Sequence, residues 1–279
     1  MNDDAVDSSQ GIIHEIRQTP CEWLFHYTTL ETALVYVLST RRLRLSPFSR
    51  MRDPREYQRW WPSAAGFISD DAPEDVSARA WVSASNRIVR LQDEFKLLSL
   101  TMDDPSPEEG VYGRGFARSR LWEAYARNGS GVCFVLRKDD ALRLIPPQLQ
   151  KRGRSKHGPV TYRNERLGQA ILIDLKEALD GDLDAIAEKI AEQHTDPLFL
   201  TKNTEWESER EYRFIVQSTS EYESVDVSDS LAAVCLGPAT PKEAGHAVGL
   251  FGSQYGLGVG LLQWRNNDPT LVGLPRWEL

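Results

Sequence analysis

From Trp23 onward the chain alternates short apolar runs with segments of helical period. Trp23-Leu24-Phe25-His26-Tyr27 is aromatic and apolar, the mark of a short strand. Thr28 stands three residues before Glu31, the capping-box spacing that satisfies free amides at a helix start. Leu30, Ala33, Leu34, Val37 and Leu38 then recur on one helical face, and Arg41-Arg42 suit the negative pole at its end. Leu43-Arg44-Leu45 predicts a second strand, followed by a polar loop with an Asp53-Pro54 turn signal. Val76, Ala80, Ala84 and Ile88 predict a helix over 74–92, and residues 95–101 a strand. Residues 102–116 have no period and read as a mobile surface loop. Leu121, Trp122, Tyr125 and Ala126 share one face of a short helix that Asn128-Gly129 stops, before a buried strand over 132–136. Residues 164–194 are helical in two pieces broken near Gly181; strands over 211–216, 231–236 and 258–263 complete the pattern.

Strands often follow one another without a crossover helix, which predicts a mixed α+β domain over 21–279 rather than a doubly wound sheet. Residues 1–20 form a polar lead-in in which Ile12, Ile13 and Ile16 would tack down a short helix. A chain of 279 residues, 41% hydrophobic, is neither disordered, collagen-like nor a coiled coil. No apolar run reaches the roughly 18–20 residues of a membrane span, and the acidic start has no secretory character. Cys21, Cys133 and Cys235 lack any metal or disulfide spacing, so a cytoplasmic protein with free thiols is expected, Cys133 being an inert core thiol. The net charge of −8 argues against non-specific coating of nucleic acid but leaves room for a local basic groove. The basic run 151–156 is the local exception, a solvated loop or a phosphate contact.

The familiar catalytic fingerprints are absent, and Gly256-Leu257-Gly258-Val259-Gly260 brings its third glycine one position too early for dinucleotide binding. The five histidines are scattered, so no metal site is expected. Two segments carry candidate chemistry. In Phe25-His26-Tyr27-Thr28-Thr29 a polar trio faces a helix start, where free amides can hold a pyrophosphate; the alternative is a satisfied His and Tyr beside a simple cap. In Trp206-Glu207-Ser208-Glu209-Arg210-Glu211-Tyr212-Arg213, a strand reaching back to Glu209 would put Glu209, Glu211 and Arg213 on one face. Paired carboxylates perturb each other's pKa and serve acid–base work; the alternative is an edge-strand charge ladder. Trp60-Trp61 would stack on a base or anchor a loop, and Asp53, Glu56, Glu209 and Glu211 together would suit Mg²⁺ in a nuclease.

These pieces resemble a bacterial family known as domain of unknown function 2971. The resemblance runs over about residues 23–262: Leu24-Phe25-His26-Tyr27-Thr28, Asp53-Pro54-x-Glu56, Leu121-Trp122-x-x-Tyr125-Ala126, Gly131-Val132-Cys133, Trp206-x-x-Glu209-x-Glu211-Tyr212-Arg213 and Val234-Cys235-Leu236-Gly237-Pro238. Arg52 departs from the Asn usual before that Asp-Pro. The opening strand–His–x–Thr–helix is also similar to DarT-type ADP-ribosyltransferases, which modify DNA. That second resemblance implies a split mixed sheet flanked by helices and NAD as substrate with no metal. It also implies a macromolecular acceptor, nucleic acid or protein, in a toxin or antiphage-defence setting. It assigns His26 to the adenosine ribose of NAD, Thr28 to its phosphate and Tyr27 to NAD binding, with Glu211 as the catalytic carboxylate and Glu209 for the acceptor. Tyr125 takes the nicotinamide, with Tyr27 or Trp122 as substitutes. A non-catalytic ligand-sensing or nucleic-acid-binding module stands as the alternative.

Overall fold

The computed structural model describes residues 4–57, 63–65, 74–104, 106, 108–164 and 172–274. The first helix, α1 (Asp4–Gln18), is longer than a lead-in needs, and it buries Ile13 and Ile16 against the last two strands. The aromatic run is strand β1 (Trp23–Thr28), followed by the single turn α2 (Leu30–Thr32) and a π-helical stretch over Ala33–Leu38. The cap is Thr29 rather than Thr28: its hydroxyl oxygen accepts from the Thr32 amide at 3.2 Å. A threonine one position later suffices because β1 holds Thr28 in register with Val132.

The chain continues through β2 (Arg42–Pro47), α3 (Pro54–Tyr57), β3 (Ser63–Ala65), α4 (Glu74–Glu94), β4 (Phe95–Met102) and α5 (Ser119–Tyr125). Then come β5 (Val132–Arg137), α6 (Lys138–Gln150), β6 (Ser155–Pro159), β7 (Thr161–Tyr162), β8 (Leu172–Asp174), α7 (Leu175–Asp180) and α8 (Leu183–Phe199). The last elements are β9 (Thr201–Lys202), β10 (Glu211–Gln217), β11 (Glu223–Asp226), β12 (Leu231–Leu236), α9 (Lys242–Tyr255), β13 (Gly258–Arg265) and β14 (Asp268–Gly273).

Ten of these strands form one mixed sheet in one α+β domain, and β4 is its hinge. One edge of β4 pairs with β10 along its whole length, from Glu211 opposite Thr101 to Gln217 opposite Phe95. The other edge is shared: β2 takes Lys96 and Leu97, and β1 takes Thr101 and Met102. Between those contacts, at Leu98, Ser99 and Leu100, β1 and β2 part. One half of the sheet then runs β1-β5-β12-β13-β14, and the other carries β2, β11, β10 and β6. The parting is the split of the sheet.

Both faces are covered, and the two-residue period of the strands assigns them. Leu24, Phe134, Leu136, Tyr212, Phe214 and Val234 share a core with Ala141, Ile145 and Leu149 of α6 and Val248 of α9. On the opposite face, Leu97 and Ile215 pack beneath Ile88, Leu91, Ile190 and Phe199 of α4 and α8. Phe25, Cys133 and Val135 pack under α1 and α5. Each large apolar side chain buried this way contributes about 1.5–3 kcal/mol, and Trp23, Phe25, Phe134 and Phe214 are all fully enclosed.

Several features depart from the sequence pattern. The two ends of the 102–116 stretch are anchored: buried Asp103 accepts from the Gly115 amide at 2.6 Å and the Cys21 amide at 2.8 Å, while Phe116 enters the core. A buried carboxylate supplies the order that periodicity lacks. Helix α9 is hidden in the sequence by its glycines, which let it sit close to β13; a Cβ on Gly252 would lie 2.4 Å from Val259 Cγ2. Gly256 caps that helix in the left-handed region (φ 70°) and Gly258 opens a strand, so the near-fingerprint runs helix to strand, the reverse of a dinucleotide turn. The β13–β14 hairpin turns on Asn266 and Asn267, both at positive φ (51° and 71°). Cys133 and Cys235 lie opposite each other in β5 and β12 as buried free thiols. Among the described residues no helix is long and apolar enough to cross a membrane.

Candidate functional site

Strand β10 begins at Glu211 and does not reach back to Glu209. Residues Thr204–Glu209 form a 3-10 turn whose Asn203 cap accepts from the Glu205 amide at 3.0 Å, and Arg210 follows in the left-handed conformation (φ 47°). A non-glycine residue there is strained by roughly 1–2 kcal/mol, and the Arg210 carbonyl accepts from Met102 N at 2.8 Å. This reversal, rather than strand alternation, sets Glu209 beside Glu211. Glu211 and Arg213 do alternate as expected and point under α4 and α8, on the face of Ile215.

The pair closes on a buried cation absent from the sequence reading. Lys202, on the two-residue strand β9, places Nζ 2.6 Å from Glu209 Oε2 and 2.5 Å from Glu211 Oε1. The other Glu211 oxygen accepts from Arg213 Nε at 2.7 Å and from the Ser99 hydroxyl at 2.9 Å. Arg213 also donates to the Phe199 carbonyl at 2.8 Å and pairs with Glu56 at 2.5 Å. The Tyr125 hydroxyl donates to Glu209 Oε1 at 3.0 Å, and Glu211 N–H donates to the Tyr162 oxygen at 2.7 Å. Glu56, Lys202, Glu209, Glu211 and Arg213 are each at most 5% exposed.

The two carboxylates are driven apart in acidity. Burial pushes Glu209 up to about 7; the Glu211 charge adds to that, while Lys202 pulls against it. Burial opposes ionisation of Glu211 as well, but Arg213 and Lys202 outweigh it and hold this carboxyl well below its usual range. Burial also raises Glu56, against the pull of Arg213. One group near neutral pH beside one fixed anion is the division that acid–base catalysis requires.

His26 stands at the split, its Nδ1 3.2 Å from the Ser99 carbonyl. A carbonyl only accepts, so Nδ1 carries the proton and Nε2 is left as an acceptor. Burial lowers the pKa of this ring, which keeps it neutral. Ser99 thus touches His26 through its backbone and Glu211 through its side chain.

A cavity of about 280 Å³ lies in the split, walled by residues 97–101 and by His26, Tyr125, Lys202, Glu209 and Glu211. Arg44, Arg50 and Arg52 stand at its mouth. Arg44 and Arg50 lie over the Tyr222 ring at 4.5 and 5.1 Å, and Arg52 lies over Tyr125 at 4.8 Å.

The structure therefore brings His26, Tyr125, Glu209 and Glu211 to one cavity. Tyr27 reaches its wall, but its hydroxyl donates to the Gly115 carbonyl. Trp122 belongs to the core instead, edge-on to Tyr27 at 5.0 Å with its indole N–H on the Phe116 carbonyl at 2.8 Å. Thr28 is not among the cavity-lining residues, and the helix that follows it is capped by Thr29 instead. Glu56 does join Glu209 and Glu211, yet Lys202 and Arg213 fill the space between these carboxylates that a divalent ion would need. Among the described residues no group of three His, Cys, Asp or Glu is placed to hold a metal ion. In the basic run, Arg152, Arg154 and Lys156 pair with Glu223, Glu188 and Asp196, which offsets three of its four cations. Trp60-Trp61 lies outside the described residues.

Residues 121–214 match the family described as Protein of unknown function (DUF2971). The matched third of the chain carries Tyr125, Tyr162, Lys202, Glu209, Glu211 and Arg213; the resembling pieces around His26, Asp53 and Cys235 fall outside it. No curated protein and no solved structure matches the chain.

Proposed function

We propose that this protein is an ADP-ribosyltransferase-like enzyme that transfers ADP-ribose from NAD to a macromolecular acceptor, nucleic acid or protein, in a toxin or phage-defence setting. The observation that carries the reading is the meeting of His26, Tyr125, Glu209 and Glu211 around one cavity in the split of the sheet. The pairing of β4 with β1 on one edge and β10 on the other brings residues nearly two hundred positions apart to one opening.

Cavity and ligand complement each other in charge. NAD joins a cationic ring to an anionic diphosphate. The floor offers carboxylates and the Tyr125 ring, while the mouth offers Arg44, Arg50 and Arg52. Ligand pockets span roughly 300–1,000 Å³, so a cavity of about 280 Å³ takes the nicotinamide–ribose end and leaves the diphosphate over the arginine rim. Guanidinium groups suit that diphosphate through paired hydrogen bonds.

Cleavage of the nicotinamide–ribose bond passes through an oxocarbenium-like state, with the bonding electrons leaving on a neutral nicotinamide. Glu211, held ionised, orients the ribose hydroxyls and faces the developing positive charge. Glu209, raised to about 7, is ionised in part near neutral pH and in that form takes the acceptor's proton as the new C1′ bond forms. Neutral His26 offers Nε2 to a ribose hydroxyl. Water in place of the acceptor would give NAD hydrolysis.

The test is incubation with labelled NAD, purified nucleic acids and cell lysate. Wild-type protein should label an acceptor or release nicotinamide, and Glu211→Gln should lower that rate by about 10²–10³, the usual loss for one transition-state contact. Equal turnover by both proteins would overturn the assignment of Glu211.

A further inference from the structure

Five charged side chains meet beneath the cavity: Glu56, Glu209 and Glu211 against Lys202 and Arg213. With every carboxyl ionised the cluster is one positive charge short. An uncompensated buried charge is costly, and one proton is the cheapest relief. The contacts decide where it goes. Glu211 is held by Lys202, Arg213 and the Ser99 hydroxyl together. Glu56 has its own guanidinium contact at 2.5 Å. Among the described residues Glu209 has its share of Lys202 and the neutral Tyr125 hydroxyl, with the Glu211 carboxylate set against it.

We propose that Lys202 is the positioning residue that divides this charge, keeping Glu211 ionised and leaving the exchangeable proton to Glu209. Its ammonium bridges the two carboxylates at nearly equal distance, 2.5 and 2.6 Å, and its remaining side faces the Trp206 ring at 4.5 Å. A compact ammonium with three donors fits this three-way junction. The flanking carboxylates overcome the effect of burial and keep Lys202 protonated, which excludes it as a nucleophile. The other groups facing the pair are the Tyr125 and Tyr162 hydroxyls, neutral His26, and Arg52 beyond the Tyr125 ring. None of them supplies a second cation to Glu209. Only the catalytic consequence, that Glu209 is free to take a proton, rests on the transferase reading; the charge division stands without it.

The experiment is a carbon-13 NMR titration of the glutamate carboxyls in the full chain without NAD, assigned by loss of a resonance in Glu209→Gln. In wild-type protein Glu209 should titrate near neutrality while Glu211 stays ionised throughout. In Lys202→Met the Glu209 midpoint should rise by about one pH unit or more, as two carboxylates then face each other unshielded. Lys202→Arg should bring it back toward the wild-type value. Glu211→Gln should move the midpoint the other way, down by about one unit or more, because Lys202 then serves Glu209 alone. If Lys202→Met does not fold, Glu211→Gln decides. An unmoved midpoint in either variant, or a neutral titration that belongs to Glu211, overturns the proposal. A positive titration with no turnover of NAD would leave the charge division standing and count against the transferase reading alone.

Discussion

Replacing Glu209 by Gln should erase a pH dependence of stability that the wild-type protein carries on the acid side of neutrality. Burial first, then the charge of Glu211, raises this carboxyl from 4.5 to about 7. Between those values the folded protein keeps a proton that the unfolded chain has released. Wild-type stability therefore falls as pH rises through this window and levels off above it. At about 1.4 kcal/mol per pH unit, the group's contribution changes by about 3 kcal/mol across the window. Gln cannot titrate, so the variant lacks that loss. Its amide has one acceptor oxygen where the carboxylate had two, so Tyr125 or Lys202 gives up a hydrogen bond worth about 1 kcal/mol at any pH. Glu209→Gln should thus be slightly less stable than wild type near pH 5 and about 2 kcal/mol more stable near pH 8. Urea unfolding followed by tryptophan fluorescence at several pH values gives the difference between the two proteins. Taking the difference cancels His26, whose lowered pKa acts with the opposite sign. A difference that stays constant from pH 5 to 8 would refute the placement of the proton on Glu209.

Arg213→Met removes the guanidinium that serves both Glu211 and Glu56 at 1% exposure. Leaving those carboxylates unpaired should cost about 3–5 kcal/mol at neutral pH, and less in acid, where both can take protons; urea unfolding at the two pH values checks it. Gly252→Ala adds a Cβ that would lie 2.4 Å from Val259 Cγ2, so α9 must lift from β13. The overpacking should cost about 1–3 kcal/mol in thermal unfolding and leave the titration of Glu209 in place.

How far the sequence carried depends on which forces act locally. The buried strands were legible because a run such as Val132 to Leu136 has no other stable home, and the break near Gly181 was legible in the glycine itself, although residues 172–174 ahead of it form strand β8 where a helix was expected. Helix α9 escaped because its burial uses glycine, which adds no apolar signal. The carboxylate pair was found by composition, though for an incomplete reason: strand alternation accounts for Glu211 and Arg213, while Glu209 arrives through a left-handed turn at Arg210. Lys202 left no trace, since a single lysine after an apolar run looks like any solvated residue. What gives it meaning is the pairing of β9 with β7 and the return of β10 along β4, both contacts between distant segments.

Electrostatics was the least legible layer, for the same reason. The run 151–156 is the densest basic stretch in the sequence, yet folding sets Glu188, Asp196 and Glu223 against three of its four cations. The arginines at the cavity mouth come from β2 and the segment after it, within the arginine-rich stretch 41–55, and only the fold shows that Arg44, Arg50 and Arg52 line one cavity. A side chain's net influence depends on which opposite charges the topology brings within a few ångströms, where coupling is strong, and not on its sequence neighbours. In an acidic chain, the positive field that matters is the one left uncancelled. At this cavity Arg44 and Arg52 share a lining with carboxylates that Lys202 and Arg213 pair, while Arg50 beside them is paired with Glu221.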